Sequence, residues 1–158
     1  MARRTAYSSA TLTVKVTESL TIDGRDYGGS SSATFSSIKN VTRRIETITT
    51  TEATIVTFSS VIGAGQYVAA NIAYMRFTNL DDTNFIVLTF ANENDDEAAI
   101  KVDAGNSFIL AGDNAGGMAD MLDAKDSALS LSLGDLKSIT VDADTASCDV
   151  EIFVAEIA

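Results

Sequence analysis

A chain of 158 residues with 46% apolar residues is sized for one domain, or one domain with an arm, and can bury a core. It has no His and one Cys, which excludes Ser-His-Asp and Cys-His nucleophile schemes, most zinc chemistry and an internal disulfide framework. The net charge of −11 is divided unevenly, with eight Lys/Arg against five Asp/Glu up to residue 80 and three against seventeen beyond it, so broad nucleic-acid binding is not expected.

Along the chain, alternation of apolar and polar residues dominates, the pattern of half-buried strands. Arg3 and Arg4 lack the apolar run of a secretory or twin-arginine signal, and no stretch approaches the ~18–20 apolar residues of a membrane span. The first clear strand is Thr11-Leu12-Thr13-Val14-Lys15-Val16-Thr17. Its even parity continues through Leu20 and Ile22, which predicts one long strand or two pieces joined near Glu18-Ser19. Asp23-Gly24 supplies a turn. Residues 23–37 (DGRDYGGSSSATFSS) are rich in Gly and Ser and read as a loop or flexible connection. Strands are predicted over 41–48 and 53–60, with a break at Gly63-Ala64-Gly65.

The middle of the chain is the most regular. Residues 73–79 form a strand, 80–83 a turn, and 84–91 (NFIVLTFA) a near-continuous apolar strand buried on both faces. An acidic turn at 92–96 leads into strands at 97–102 and 107–111. Residues 112–117 read as a loop and 118–125 as a short helix joining Met118, Met121 and Leu122. Strands resume at 129–133, 136–141 and 148–155. Eight or nine strands at this spacing predict an all-β antiparallel sandwich or barrel. Residues 1–37 form an N-terminal arm with its Gly/Ser-rich loop, and 38–158 the sandwich domain.

Motifs that carry chemistry are scarce. Val61 to Val68 places Val68 where a third glycine of a dinucleotide turn belongs, and no helical pattern follows, so a hairpin or bulge turn is expected. Glu93-Asn94-Asp95-Asp96-Glu97 lacks the ligand layout of an EF-hand and reads as a solvated hairpin tip. Cys148 shares a face with Val150, Ile152 and Val154 and reads as a core residue. Tyr74 is also read as core. With no Trp, a stacking platform for sugars is poorly supplied. The candidate residues are therefore interface residues: Arg3, Arg4, Tyr7 and Tyr27 in the arm, and the pair Arg43 and Arg44. Neither a catalytic residue, a cofactor nor a metal is expected.

Residues 74–155 also carry a resemblance. Arg76-Phe77-Thr78-Asn79-Leu80 enters Ile86-Val87-Leu88. Ile100-Lys101-Val102-Asp103-Ala104-Gly105-Asn106-Ser107-Phe108-Ile109-Leu110 follows, and Leu136 to Val141 and Asp149 to Ala155 close the domain. This succession resembles small β-sandwich virion proteins of tailed, marine podovirus-like phages, of tail-ring or decoration type. The glycine turn here is Asp-Ala-Gly-Asn, without the proline often found in that group. The resemblance implies a jelly-roll-like sandwich without catalysis, located in the virion and present in several copies bound to other virion proteins. From the charge and the lack of an apolar span, neither nucleic acid nor membrane is expected as a partner. The expected function is a ring or adaptor at the phage tail or head–tail junction, bridging structural or fibre proteins. Alternatives are a capsid decoration protein and a glycan- or receptor-binding module.

Overall fold

The computed structural model describes residues 8–60, 63–111 and 136–157. The helix expected at 118–125, the strand at 129–133, and Arg3, Arg4 and Tyr7 lie outside the described residues. In chain order the strands are β1 (Ala10–Glu18), β2 (Thr21–Ile22), β3 (Arg25–Asp26), β4 (Gly29–Ile38), β5 (Asn40–Ile48), β6 (Ala53–Phe58), β7 (Gln66–Tyr67) and β8 (Ile72–Asn79). They continue as β9 (Ile86–Asn92), β10 (Glu97–Val102), β11 (Ser107–Ala111), β12 (Leu136–Ala143) and β13 (Cys148–Glu156).

Two sheets face each other, one in the order β11-β8-β13-β5 and the other β10-β9-β12-β6-β7. Every pairing is antiparallel except the short β6–β7 contact. Among the eight long strands from β5 onward, the first sheet holds the sixth, third, eighth and first, and the second holds the fifth, fourth, seventh and second. That interleaving is the jelly-roll path, so the all-β sandwich read from the sequence is the architecture of the protein.

The core follows from alternation. Met75 and Phe77 of β8, Val150, Ile152 and Val154 of β13, and Ile86, Leu88 and Phe90 of β9 all point between the sheets and are buried. In β12 the buried Leu136 and Ile139 are three residues apart, a spacing that strict alternation forbids. The register shift between Leu136 and Ser138 inserts an extra residue in β12 and re-aims the strand so that both reach the core, while the shift between Ile139 and Thr140 puts the extra residue in β6, where adjacent Ile55 and Val56 are both buried. Cys148 is fully buried in the same cluster. Burial, with the charges of Asp81, Asp144 and Asp149, pushes its thiol upward in pKa.

Two expectations are corrected. Strand β9 does not bury both faces: Ile86, Leu88, Phe90 and Asn92 are buried, while Val87, Thr89 and Ala91 between them are only half-buried. Among the described residues nothing packs over that outer side deeply enough to close it. Residues 29–38 are not a loop but the strand β4, antiparallel to β1. A partner strand, in constant register from Gly29 to Phe35 and shifted by one before Ile38, satisfies their backbone, and Ser and Thr suit a sheet surface left in water.

The turn after β8 is pinned by Asn79, a fully buried polar residue. Its Nδ2 donates to the carbonyls of Asn84 at 2.8 Å and Val102 at 3.2 Å, and its Oδ1 accepts from the Asp81 amide at 3.1 Å. The Asp81 carboxylate accepts in turn from the amides of Thr83 and Asn84, and these bonds lower its pKa. Replacing Asn79 by Leu takes the side-chain donor from the Asn84 and Val102 carbonyls and the acceptor from the Asp81 amide. Urea unfolding of the Asn79→Leu variant should show a loss of about 2–4 kcal/mol; a loss within error of zero would show that the turn does not depend on this side chain.

Candidate functional site

The feature that departs most from a plain sandwich is the ribbon made by β1 to β4. Residue numbers of its paired positions add to 47 without a slip, from Leu12↔Phe35 through Glu18↔Gly29 to Ile22↔Arg25. Tyr27 N donating to Leu20 O at 2.8 Å carries the same register across the gap between the assigned strands. The loop closing it is Asp23-Gly24, with φ of 50° and 76°, the two-residue turn with both φ positive that suits strand twist. Gly28 is required for a different reason: a Cβ there would lie 2.6 Å from the Glu18 carbonyl oxygen.

Constant register fixes facing, because directly paired residues share a face and side chains alternate along each strand. One face therefore carries Leu12, Val14, Val16, Leu20, Ile22, Tyr27, Ala33 and Phe35, interrupted by Glu18, Ser31 and, beside Ile22 at the tip, Arg25. The other carries Thr13, Lys15, Thr17, Thr21, Ser30, Ser32 and Thr34. The first face is mostly apolar, with Glu18 and Arg25 as its charged members, and the second is polar.

Among the described residues, only its base is covered. Phe35, Ile38, Leu12 and Val14 pack with Ala73 and Tyr74 of β8, Phe153 and Ala155 of β13, and Ile157, forming a second apolar cluster on the outer face of the four-stranded sheet. The Tyr74 ring stands 5.9 Å from both Phe35 and Phe153, edge-on to the latter. Burial raises the Tyr74 hydroxyl pKa, with Arg76 opposing. Further out, Val16, Leu20 (50% exposed), Ile22 (52%) and Tyr27 (60%) have no cover. From Val14 to the turn is about nine residues, or roughly 30 Å of strand.

The sheet face under the ribbon is held by a charge cluster. Glu151 of β13, itself buried, accepts from Arg43 Nε at 2.8 Å and Nη2 at 2.6 Å through Oε2, and from Arg76 Nη2 at 2.5 Å through Oε1. Arg76 also donates to Thr78 Oγ1 at 2.8 Å, and its guanidinium lies 5.9 Å from the Phe153 ring centre. Bonding to Arg43, then the charges of both arginines, holds the Glu151 carboxyl below the usual carboxylate range against the opposing effect of burial.

Glu156, where β13 meets the start of β5, is the opposite case. It is buried and accepts one bond from Asn40 Nδ2 at 2.7 Å, while its Oε1 has no partner. Burial pushes its pKa up, and the Asn40 bond only partly offsets this.

Of the residues singled out from the sequence, Tyr27 stands exposed at the distal ribbon. Arg43 is engaged with Glu151 yet keeps an exposed side chain on the outer sheet face. Arg44 faces the other way: its Nη2 donates to the Ile55 carbonyl, and its Nε lies 2.7 Å from Glu46 Oε1. That Nε is not aligned to hydrogen-bond, so the contact is electrostatic. The structure brings Arg43 together with Arg76 and Glu151, which sequence reasoning missed. All three occupy outward positions of their strands, but the pairing that makes them neighbours is long-range. Buried Tyr74 and Cys148 are core residues, as the sequence indicated.

A hollow of about 480 Å³ lies at one end of the sandwich, lined by Phe58, Ser59, Val68, Ala70, Glu93 and Lys137 among others. Its lining also includes Ser60 and Leu136, each adjoining a stretch outside the described residues. Among the described residues no three His, Cys, Asp or Glu side chains group closely enough to hold a metal, and no helix is long and apolar enough to cross a membrane. The acidic turn is a hairpin tip organised by Asn92, whose Oδ1 accepts from the amides of Asn94 and Asp96, each at 2.9 Å.

Compared with known proteins, the sequence matches no family model and no curated protein. Among solved structures it is similar to a chain from work titled "Bacillus endospore appendages form a novel family of disulfide-linked pili". The alignment covers 98% of this chain and 96% of that one, with 11% identity and a TM-score of 0.36. A likeness that distant carries no functional argument.

Glu151 and Glu156 should give stability opposite slopes against pH. Because the folded-state pKa of Glu151 is lowered, its contribution is complete above the ordinary carboxylate range and is lost as pH falls through the folded value. Glu156 has a raised pKa, so its ionised form costs stability above that value, and the cost disappears as pH falls through it. Thermal unfolding from about pH 2 to 8 should therefore find Glu151→Gln less stable than the parent at neutral pH and Glu156→Gln more stable, the Glu156 difference shrinking first as pH falls and the Glu151 difference only below the ordinary carboxylate range. Parallel curves for all three proteins would refute the assignment.

Proposed function

We propose that this chain is a non-enzymatic structural subunit that works in several copies, placed as a ring or adaptor at the tail or head–tail junction of a phage particle. The observation that carries the multi-copy part is the uncovered half of the ribbon's apolar face. A two-stranded hairpin without a core is marginal in water, and ordering each residue costs about 1–2 kcal/mol in backbone entropy. Leu20 and Ile22, each half exposed, have roughly 1 kcal/mol apiece still to gain from burial. Exposed apolar surface on a projecting element is the mark of a surface meant for another protein. The virion placement follows the resemblance carried by residues 74–155. The absence of His and the engagement of Glu151 by two arginines support a structural role over an acid–base one.

Quantitative mass spectrometry of purified particles from the phage that encodes the chain tests this reading. Tens of copies per particle are expected for a ring or adaptor, with rings of one size formed by the purified protein under negative-stain microscopy. Hundreds of copies would move the protein to the capsid surface. Absence from particles, together with a purified chain that remains monomeric, would remove the proposal.

A further inference from the structure

We infer that the uncovered distal half of the ribbon seats on the outer face of β5 in a second copy of this chain, across Val41, Arg43 and Ile45, in a head-to-tail contact. This rests on the multi-copy reading above and supplies the contact that reading lacks. Both halves of the joint are exposed within one chain: Leu20, Ile22 and Tyr27 on the ribbon, and Val41 (51%) and Ile45 (60%) on the sheet. A chain's own tip therefore does not cover its own β5.

Two observations select a second copy as the occupant. The first is continuity. The base of the same ribbon face already packs on β8 and β13 of this sheet through Tyr74, Phe153 and Ala155. Strand β5 is the next strand over, hydrogen-bonded to β13 with Arg43 opposite Phe153 and Ile45 opposite Glu151. The distal half thus meets on a neighbour the kind of surface its base meets at home. The second is charge. Glu18 shares the face of Leu20 and Ile22 and Asp23 stands at the turn, against Arg25 alone on that face; Asp26, opposite Thr21, lies on the other face. The outward row of β5 carries Arg43, whose side chain is 69% exposed, and no acid. Glu151 beside it is already bound by both arginines. Because tip and seat are different surfaces, the contact is heterologous and propagates around a ring or along a filament.

Two double variants test this. Leu20→Lys with Ile22→Lys removes the tip, and Val41→Lys with Ile45→Lys removes the seat. All four residues are exposed, so each variant should unfold like the parent. In sedimentation velocity over a concentration series the parent should form larger species, and each variant should associate about 100-fold more weakly. Mixed in equal amounts, the two variants should form a one-to-one dimer and nothing larger, since only the intact tip of one and the intact seat of the other remain. A mixture that stays monomeric overturns the inference. Variants that assemble as the parent does overturn it while leaving the multi-copy reading intact, and a parent that never associates removes both.

Discussion

In a two-stranded ribbon of unbroken register, every second side chain on both strands must point the same way. The sequence can choose what occupies that face but cannot divide it between two directions. Here Leu12, Val14, Leu20, Ile22, Tyr27 and Phe35 all fall on it, and the sheet beneath covers only those near the base. The rest of the molecule accommodates this mismatch. The sandwich closes its own core between two sheets and lends the back of one of them, around Tyr74 and Phe153, as a platform for part of the hairpin. What the platform does not reach is left in solvent.

The platform is itself composite. Its flanks are apolar, with Ile45 on β5 and Ile109 on β11 exposed, while its middle holds Glu151 between Arg43 and Arg76. A buried carboxylate bound on both oxygens fixes the relative positions of three strands more sharply than apolar contact does, since its partners must meet it at hydrogen-bond distance. Arg76 links this cluster to the ribbon, with its guanidinium near the Phe153 ring on which the ribbon base rests. Glu156, buried with one oxygen unpartnered, marks the place where β5 leaves the ribbon, and there the chain gives up stability.

Much of the fold was legible because strand signals are local. Leu12-Val14-Val16, Ile86-Leu88-Phe90 and Val150-Ile152-Val154 show their faces in sequence, and the turn residues Asp23-Gly24 and Gly105 mark the reversals, with Gly24 and Gly105 at φ of 76° and 73°. Strand β4 was illegible for the same reason. Ser30, Ser31 and Ser32 blur the alternation, and only the pairing with β1 reveals that Ala33 and Phe35 share a face with Val14 and Leu12. The doubly apolar look of β9 misled because Val87 and Ala91 mimic core residues without being covered. The site was half visible: Tyr27 and Arg43 could be named, but Glu151 and Arg76 become their companions only through contacts far apart in sequence, which no local pattern encodes.

The chain's single thiol, Cys148, lies fully inside the sandwich, with its ionisation suppressed by burial and three nearby carboxylates. The folded chain therefore has no exposed thiol to offer another protein, and oxidising conditions cannot couple two copies through Cys148. In the multi-copy reading proposed above, cohesion comes from packing and charge, so denaturant or salt without a reductant should part the copies.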